Sequence, residues 1–125
     1  GVPGVPAGVA ADLEKVEPRS ESWVQDYFNV EEIGAAGSEH ERWAKLTRMW
    51  CLKEATLKAL GTGLRFDLKD VSVASLDDSG RATMELLNQA ARHWEQHGRG
   101  AIEARVEEHD GLALARVLIR NGSGH

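Results

Sequence analysis

The feature that most limits how this chain can fold is the segment from Ser38 to Leu60, which contains neither proline nor glycine. Ser38 and Glu41 have capping-box spacing, which predicts one long helix from there to about Leu60. Gly61 stops that helix and Gly63 keeps the turn after it free of side chains. At roughly 100° per residue, Trp43, Leu46, Trp50 and Leu57 fall on one apolar stripe. Glu54 lies about 40° from Trp50, beside the stripe, with Lys58 one turn further along the same flank. Lys53 sits on the stripe's other margin. Any fold must pack this helix by one side.

The segments around it supply the packing surface. Val9 to Leu13 reads as a short buried strand that delivers Asp12 and Glu14 to its end, both on one side of an extended chain. Pro18 turns the chain, and Ser20 or Ser22 can cap a short helix holding Trp23, Tyr27 and Phe28. Asp70–Ser75 alternates as a strand, Asp77–Gly80 is a turn, and Ala82–Leu86 returns as the second arm of a hairpin. Asn88 to His97 has helical character and ends at Gly98. Ala101–Glu108 and Leu112–Ile119, joined by His109-Asp110-Gly111, read as a second hairpin. The order predicts an α+β fold, a small antiparallel sheet packed against a long helix.

With 125 residues, 42% apolar and 28% charged, the chain is long enough for one ordinary core. Residues 1–8, rich in glycine and proline, read as a linker or remnant, residues 9–119 as the domain, and 120–125 as a disordered tail or scar. No apolar run is long enough to span a membrane, and the first residues lack the features of a signal peptide. Cys51 is the only cysteine, so no internal disulfide forms, and a cytoplasmic setting is expected. The net charge of −5 argues against a general nucleic-acid binder. Between Arg42 and Arg65, however, six cations face the single acid Glu54. Such a basic element points to an anionic ligand or partner, or to a solvated face that balances acidic neighbours.

Three acids invite a common explanation. Asp12, Glu14 and Glu54, if brought together, would repel unless their pKa values rose or a hard cation neutralised them. Mg²⁺ suits oxygen ligands and bridges carboxylates to phosphates. Asp-x-Glu is also an ordinary surface pair, and Glu54 with Lys58 is an ordinary helix-stabilising pair. Lys53 and Lys58 followed by Gly61-Thr62-Gly63 would make a diphosphate cradle, lysine charge beside exposed amides. It is not a Walker A loop, because the glycines follow the lysine and the helix. His109 is an exposed turn residue or a donor to an anion.

Together these segments resemble the phosphopantetheinyl transferases. Trp50-Cys51-Leu52-Lys53-Glu54-Ala55, continuing to Lys58-Ala59 and Gly61-Thr62-Gly63, is similar to that family's W-x-x-K-E-A-x-x-K-A-x-G-x-G signature. Asp12-Leu13-Glu14 is similar to its G-x-D-x-E motif, with Ala10 in the glycine's place. Val106-Glu107-Glu108-His109 stands where the family has Ser-x-Ser-His, so Glu108 replaces a phosphate-binding serine.

The resemblance implies transfer of phosphopantetheine from coenzyme A to a serine of an acyl or peptidyl carrier protein, with Mg²⁺. Asp12, Glu14 and Glu54 would hold the metal against the diphosphate, and Glu54, or a metal-bound water it orients, would take the serine proton. Asp12, Glu54 and Lys58 would thus be the catalytic residues. Lys58 would neutralise a phosphate, while Lys53, Gly61, Thr62, Gly63 and His109 would line the coenzyme A site. The motif detail is similar to the larger surfactin-type members, the length to the small holo-acyl-carrier-protein synthases. That implies a homotrimer or an integral domain of a polyketide or fatty-acid megasynthase, modifying an acidic carrier. A non-catalytic docking or structural module of the same fold is the alternative.

Overall fold

The computed structural model describes residues 6–61, 67–96 and 100–120. In chain order these form β1 (Pro6–Lys15), α1 (Glu21–Tyr27), α2 (Val30–Ala36), α3 (Arg42–Leu60), a 3-10 turn (Leu68–Asp70), β2 (Val71–Leu76), β3 (Arg81–Leu86), α4 (Asn88–Gln96), β4 (Ile102–His109) and β5 (Leu112–Arg120). All strand pairings are antiparallel, in the order β1-β5-β4-β3-β2, and α3 packs across β1 and β5. This is the expected α+β layout.

Both hairpins form where their turn residues stand. Asp77 caps its own turn, its carboxylate accepting from the N–H groups of Ser79 and Arg81. Asp110 and Gly111 both take positive φ, the backbone hand of a tight hairpin turn. β1 is longer than the Val9–Leu13 expectation because it pairs with β5 along its length, from Pro6 opposite Arg120 to Lys15 opposite Leu112. Gly8 permits the close approach of α3, since a Cβ there would lie 2.0 Å from the Ala59 carbonyl oxygen.

The helices differ from expectation in two places. No capping box forms at Ser38 and Glu41; α3 begins at Arg42, whose N–H is bound by the Glu39 carbonyl, and Glu41 makes no side-chain cap. The Glu32 half of such a box appears instead one helix earlier, where its carboxylate accepts from the Asn29 N–H at 2.8 Å and starts α2. Ser20 caps α1 as expected, accepting from the Trp23 N–H. Trp23, Tyr27 and Phe28 then pack around Trp50 of α3, Tyr27 edge-on and the other two tilted.

α3 is buried over more than the expected stripe. Leu46 is buried, whereas Trp43, Trp50 and Leu57 are only partly covered. Cys51, Leu52, Lys53, Ala55 and Thr56 are wholly enclosed, because α3 is clasped by the sheet on one side and by α1 and α2 on another. Gly61 ends the helix at φ 140°.

Candidate active site

The acids of β1 and α3 meet where the two elements cross. Ala10, Asp12 and Glu14 share the inward side of β1, opposite the C-terminal half of α3. Lys58 reaches back to Asp12, its Nζ 2.6 Å from Oδ1. Beneath the pair, the Cys51 thiol lies within hydrogen-bonding reach of the carbonyl oxygens of Asp12 (3.1 Å) and Ala113 (3.4 Å). Burial and the neighbouring Asp12 charge push that thiol up to about 12, so Cys51 is a packing residue rather than a nucleophile.

The second oxygen of Asp12, Oδ2, is buried and has no donor. Glu14 faces it. Partial burial, then Asp12 through a hydrogen bond and its charge, raise the Glu14 carboxyl to about 7, with Arg19 opposing and Glu54 reinforcing. Burial and the Asp12 charge also raise Glu54, against the pull of Lys58. The three carboxylates therefore form one electrostatic unit, which either a shared proton or a cation can relieve.

Among the described residues no group of three carboxylate, imidazole or thiol side chains is gathered tightly enough to cage a metal alone. Mg²⁺ does not require such a cage: it keeps waters and is commonly held by one or two carboxylates together with substrate phosphates. The orphaned Oδ2 of Asp12, flanked by two carboxyls that resist ionising, fits that mode of binding.

Other expected site residues lie elsewhere. Lys53 does not border an open surface; it is fully buried, with Nζ 2.6 Å from Glu32 Oε1 and 5.0 Å above the Phe28 ring. Its place on the clasped side of α3 explains this. Burial lowers its pKa and Glu32 opposes that. The Gly61 N–H is bound by the Lys58 carbonyl, so it is no spare donor for a phosphate. Thr62 and Gly63 lie outside the described residues. His109 points away from Asp12, on the sheet face opposite α3, 3.6 Å from Glu107 and largely exposed. Glu108 is on the inner face and pairs with Arg48 at 2.9 Å. Of the basic segment, Arg42, Arg48, Lys53 and Lys58 all hold acids of this same chain, and Arg65 lies outside the described residues.

A model of the 4'-phosphopantetheinyl transferase superfamily matches residues 8–115, the span that carries both acid-bearing elements. The chain belongs to this superfamily. Within it, the chain is 34% identical over 120 residues to a holo-[acyl-carrier-protein] synthase of Treponema denticola, covering 90% of this chain and 96% of that protein. A second such synthase, from Solibacter usitatus, is 27% identical over 123 residues, covering 91% and 98%. The fold agrees with solved members. A holo-ACP synthase from Plasmodium yoelii superposes with a TM-score of 0.79 at 17% identity, covering 94% of this chain and 97% of the other. A Chronobacterium ammoniagenes ACPS–CoA complex gives 0.75 at 23% identity, covering 91% and 96%. The phosphopantetheinyl transferase resemblance read from Trp50–Gly63 and Asp12–Glu14 is thus borne out at the level of family and fold.

Two residues that matter to the architecture escaped the sequence reading. Glu32 could have been found from Asn29 and Glu32 at capping-box spacing. Gly8 had no such signal, because its role depends on Ala59, near the far end of a helix remote in sequence.

Proposed function

We propose that the chain is a holo-acyl-carrier-protein synthase that moves phosphopantetheine from coenzyme A to a carrier-protein serine, using Mg²⁺ held by Asp12, Glu14 and Glu54. The observation that carries the site assignment is Asp12: one carboxylate oxygen held by Lys58, the other buried without a donor, and two further carboxyls alongside.

In the reaction the serine oxygen bonds to the phosphorus that bears pantetheine. The bond from that phosphorus to the bridging oxygen breaks, and 3',5'-ADP leaves. When bound, the metal neutralises diphosphate charge and helps hold the reacting phosphate in line. Glu54, partly buried near Asp12 and Lys58, accepts the serine proton. Lys58, half-exposed and anchored on Asp12, swings or leans toward the phosphate oxygens and stabilises the charge that grows on them. The Cys51 thiol and the Ala59–Gly8 contact keep β1 against α3, which fixes the distance between Asp12 and Glu54.

The subunit is proposed to work beside further copies of itself, as a homotrimer. The sheet face away from α3 leaves an apolar strip uncovered: Val9 is 71% and Leu13 59% exposed, and they stand opposite Leu118 and Leu114. His109 lies on that same face, so it would reach a coenzyme A site only across a subunit boundary. Among the described residues no helix is long and apolar enough to cross a membrane, and the single buried thiol suits the cytoplasmic setting proposed here.

The direct test is to incubate the protein with coenzyme A, Mg²⁺ and an apo carrier protein and to follow carrier mass. The carrier should gain one phosphopantetheine group on its serine. A carrier of unchanged mass, with a control synthase active in the same mixture, would favour the docking-module alternative.

A further inference from the structure

Glu32 is an acid that no part of the reaction uses, yet it is one of the most completely enclosed side chains of the molecule. Its Oε1 accepts from Lys53 Nζ at 2.6 Å and from the Asn29 N–H at 2.8 Å, and its Oε2 accepts from the Val73 N–H at 2.8 Å. One carboxylate thereby joins the start of α2, the middle of α3 and the inner part of β2. We propose that Glu32 is a positioning residue for the transfer, setting the rotation of α3 through Lys53 so that Glu54 faces Asp12.

The case rests on how α3 is packed. Its own buried side chains, among them Leu46, Cys51, Leu52, Ala55 and Ala59, are spread around much of the helix rather than along one stripe. Apolar burial spread around a helix does not select one rotation about its axis. Directional bonds do, and a buried ion pair is better suited to specifying an arrangement than to adding net stability. Lys53 immediately precedes Glu54, so its anchor acts on the catalytic carboxylate with no intervening residue. A rotation of 20° moves a side-chain tip at the helix surface by roughly 2 Å. A displacement of about 1 Å is enough to cost on the order of 10²-fold in rate.

The inference depends on the transferase reading, and its test separates the two. The double variant E32Q/K53M removes both buried charges while keeping an acceptor at position 32 and the volume of the lysine stem. T56V, which removes the buried Thr56 hydroxyl bonded to the Leu52 carbonyl at 2.8 Å, is the control for a core change on the same helix. Each protein is measured for circular dichroism and melting, for Mg²⁺ affinity in the presence of coenzyme A by calorimetry, and for kcat and coenzyme A KM.

The double variant is expected to fold, to bind Mg²⁺ about tenfold more weakly, and to lose at least tenfold in kcat with little change in KM. T56V is expected to melt lower with Mg²⁺ affinity unchanged. The inference is overturned if the double variant keeps wild-type Mg²⁺ affinity and kcat within twofold, or if T56V shifts Mg²⁺ affinity as far as the double variant does. Should the double variant melt early, the same calorimetry run well below its midpoint decides the question. A wild-type protein with neither Mg²⁺-dependent binding nor transfer would instead sink the transferase reading itself.

Discussion

Lys53 and Lys58 stand little more than one turn apart on α3, and each holds a carboxylate at 2.6 Å. Their surroundings could hardly differ more. The Lys53–Glu32 side chains are both 0% exposed, and every Glu32 oxygen has a donor. Lys58 is 52% exposed, while its partner Asp12 is 9% exposed and keeps one oxygen without a donor. A closed, satisfied pair can only hold elements together. A pair open on one side and unsatisfied on the other can exchange partners, and that is what binding a cation and a diphosphate requires. Bond length alone does not reveal which is which; burial and the count of donors do.

The contrast can be broken most forcefully at Glu54. Glu54→Ala is expected to lower transfer by about 10²–10⁴-fold while the melting curve stays near that of the wild type. Retained transfer would remove Glu54 from the catalytic residues. At the closed pair the expectation reverses: Lys53→Ala strands the buried Glu32 charge and should cost about 3–5 kcal/mol of stability, read by urea unfolding. At the open pair, Lys58→Ala should cost clearly less stability than Lys53→Ala, because water can take the place of its half-exposed amine beside Asp12. It should nonetheless lower kcat by roughly 10²-fold. Equal stability losses in the two lysine variants would erase the distinction.

A smaller effect follows from the acid group itself. Glu14 is raised from 4.5 to about 7 in the folded, metal-free chain, so between those pH values the folded state holds more protons than the unfolded one. Stability should therefore fall as pH rises from about 4.5 to 7 and level off above that. Glu54, also raised, adds in the same direction. Melting in a chelating buffer at pH 5, 6, 7 and 8 reads this slope, and saturating Mg²⁺ with coenzyme A should flatten it. A midpoint that rises with pH in the metal-free protein would contradict the shared electrostatics of Asp12, Glu14 and Glu54.

These differences also mark what the sequence discloses. Local signals are legible. Asp110-Gly111 and Asp77–Gly80 fix their hairpins through turn chemistry, Ser20 caps α1, Gly61 stops α3, and period two places Asp12 and Glu14 on one side of β1. Long-range partners were not legible. Lys53 reads in sequence as a lysine on the margin of an apolar stripe, one that would line the coenzyme A site, since nothing within a helical turn announces Glu32, which lies 21 residues away. Gly8 looked like part of a linker because the Ala59 carbonyl that demands it belongs to another element. Spacing alone predicts a capping box at Ser38 and Glu41, yet the Glu32 bond forms at Asn29 instead, where the acid gains a lysine and a strand N–H as well.

The central claim, that the open pair and not the closed one is where metal and diphosphate bind, is tested most directly by titrating coenzyme A into the wild type and Asp12→Asn by calorimetry, each with and without Mg²⁺. The wild type should bind coenzyme A at least about tenfold more tightly with Mg²⁺. Asp12→Asn should bind it equally weakly in both conditions. An undiminished Mg²⁺ enhancement in Asp12→Asn would contradict the assignment of the orphaned Asp12 oxygen to the metal.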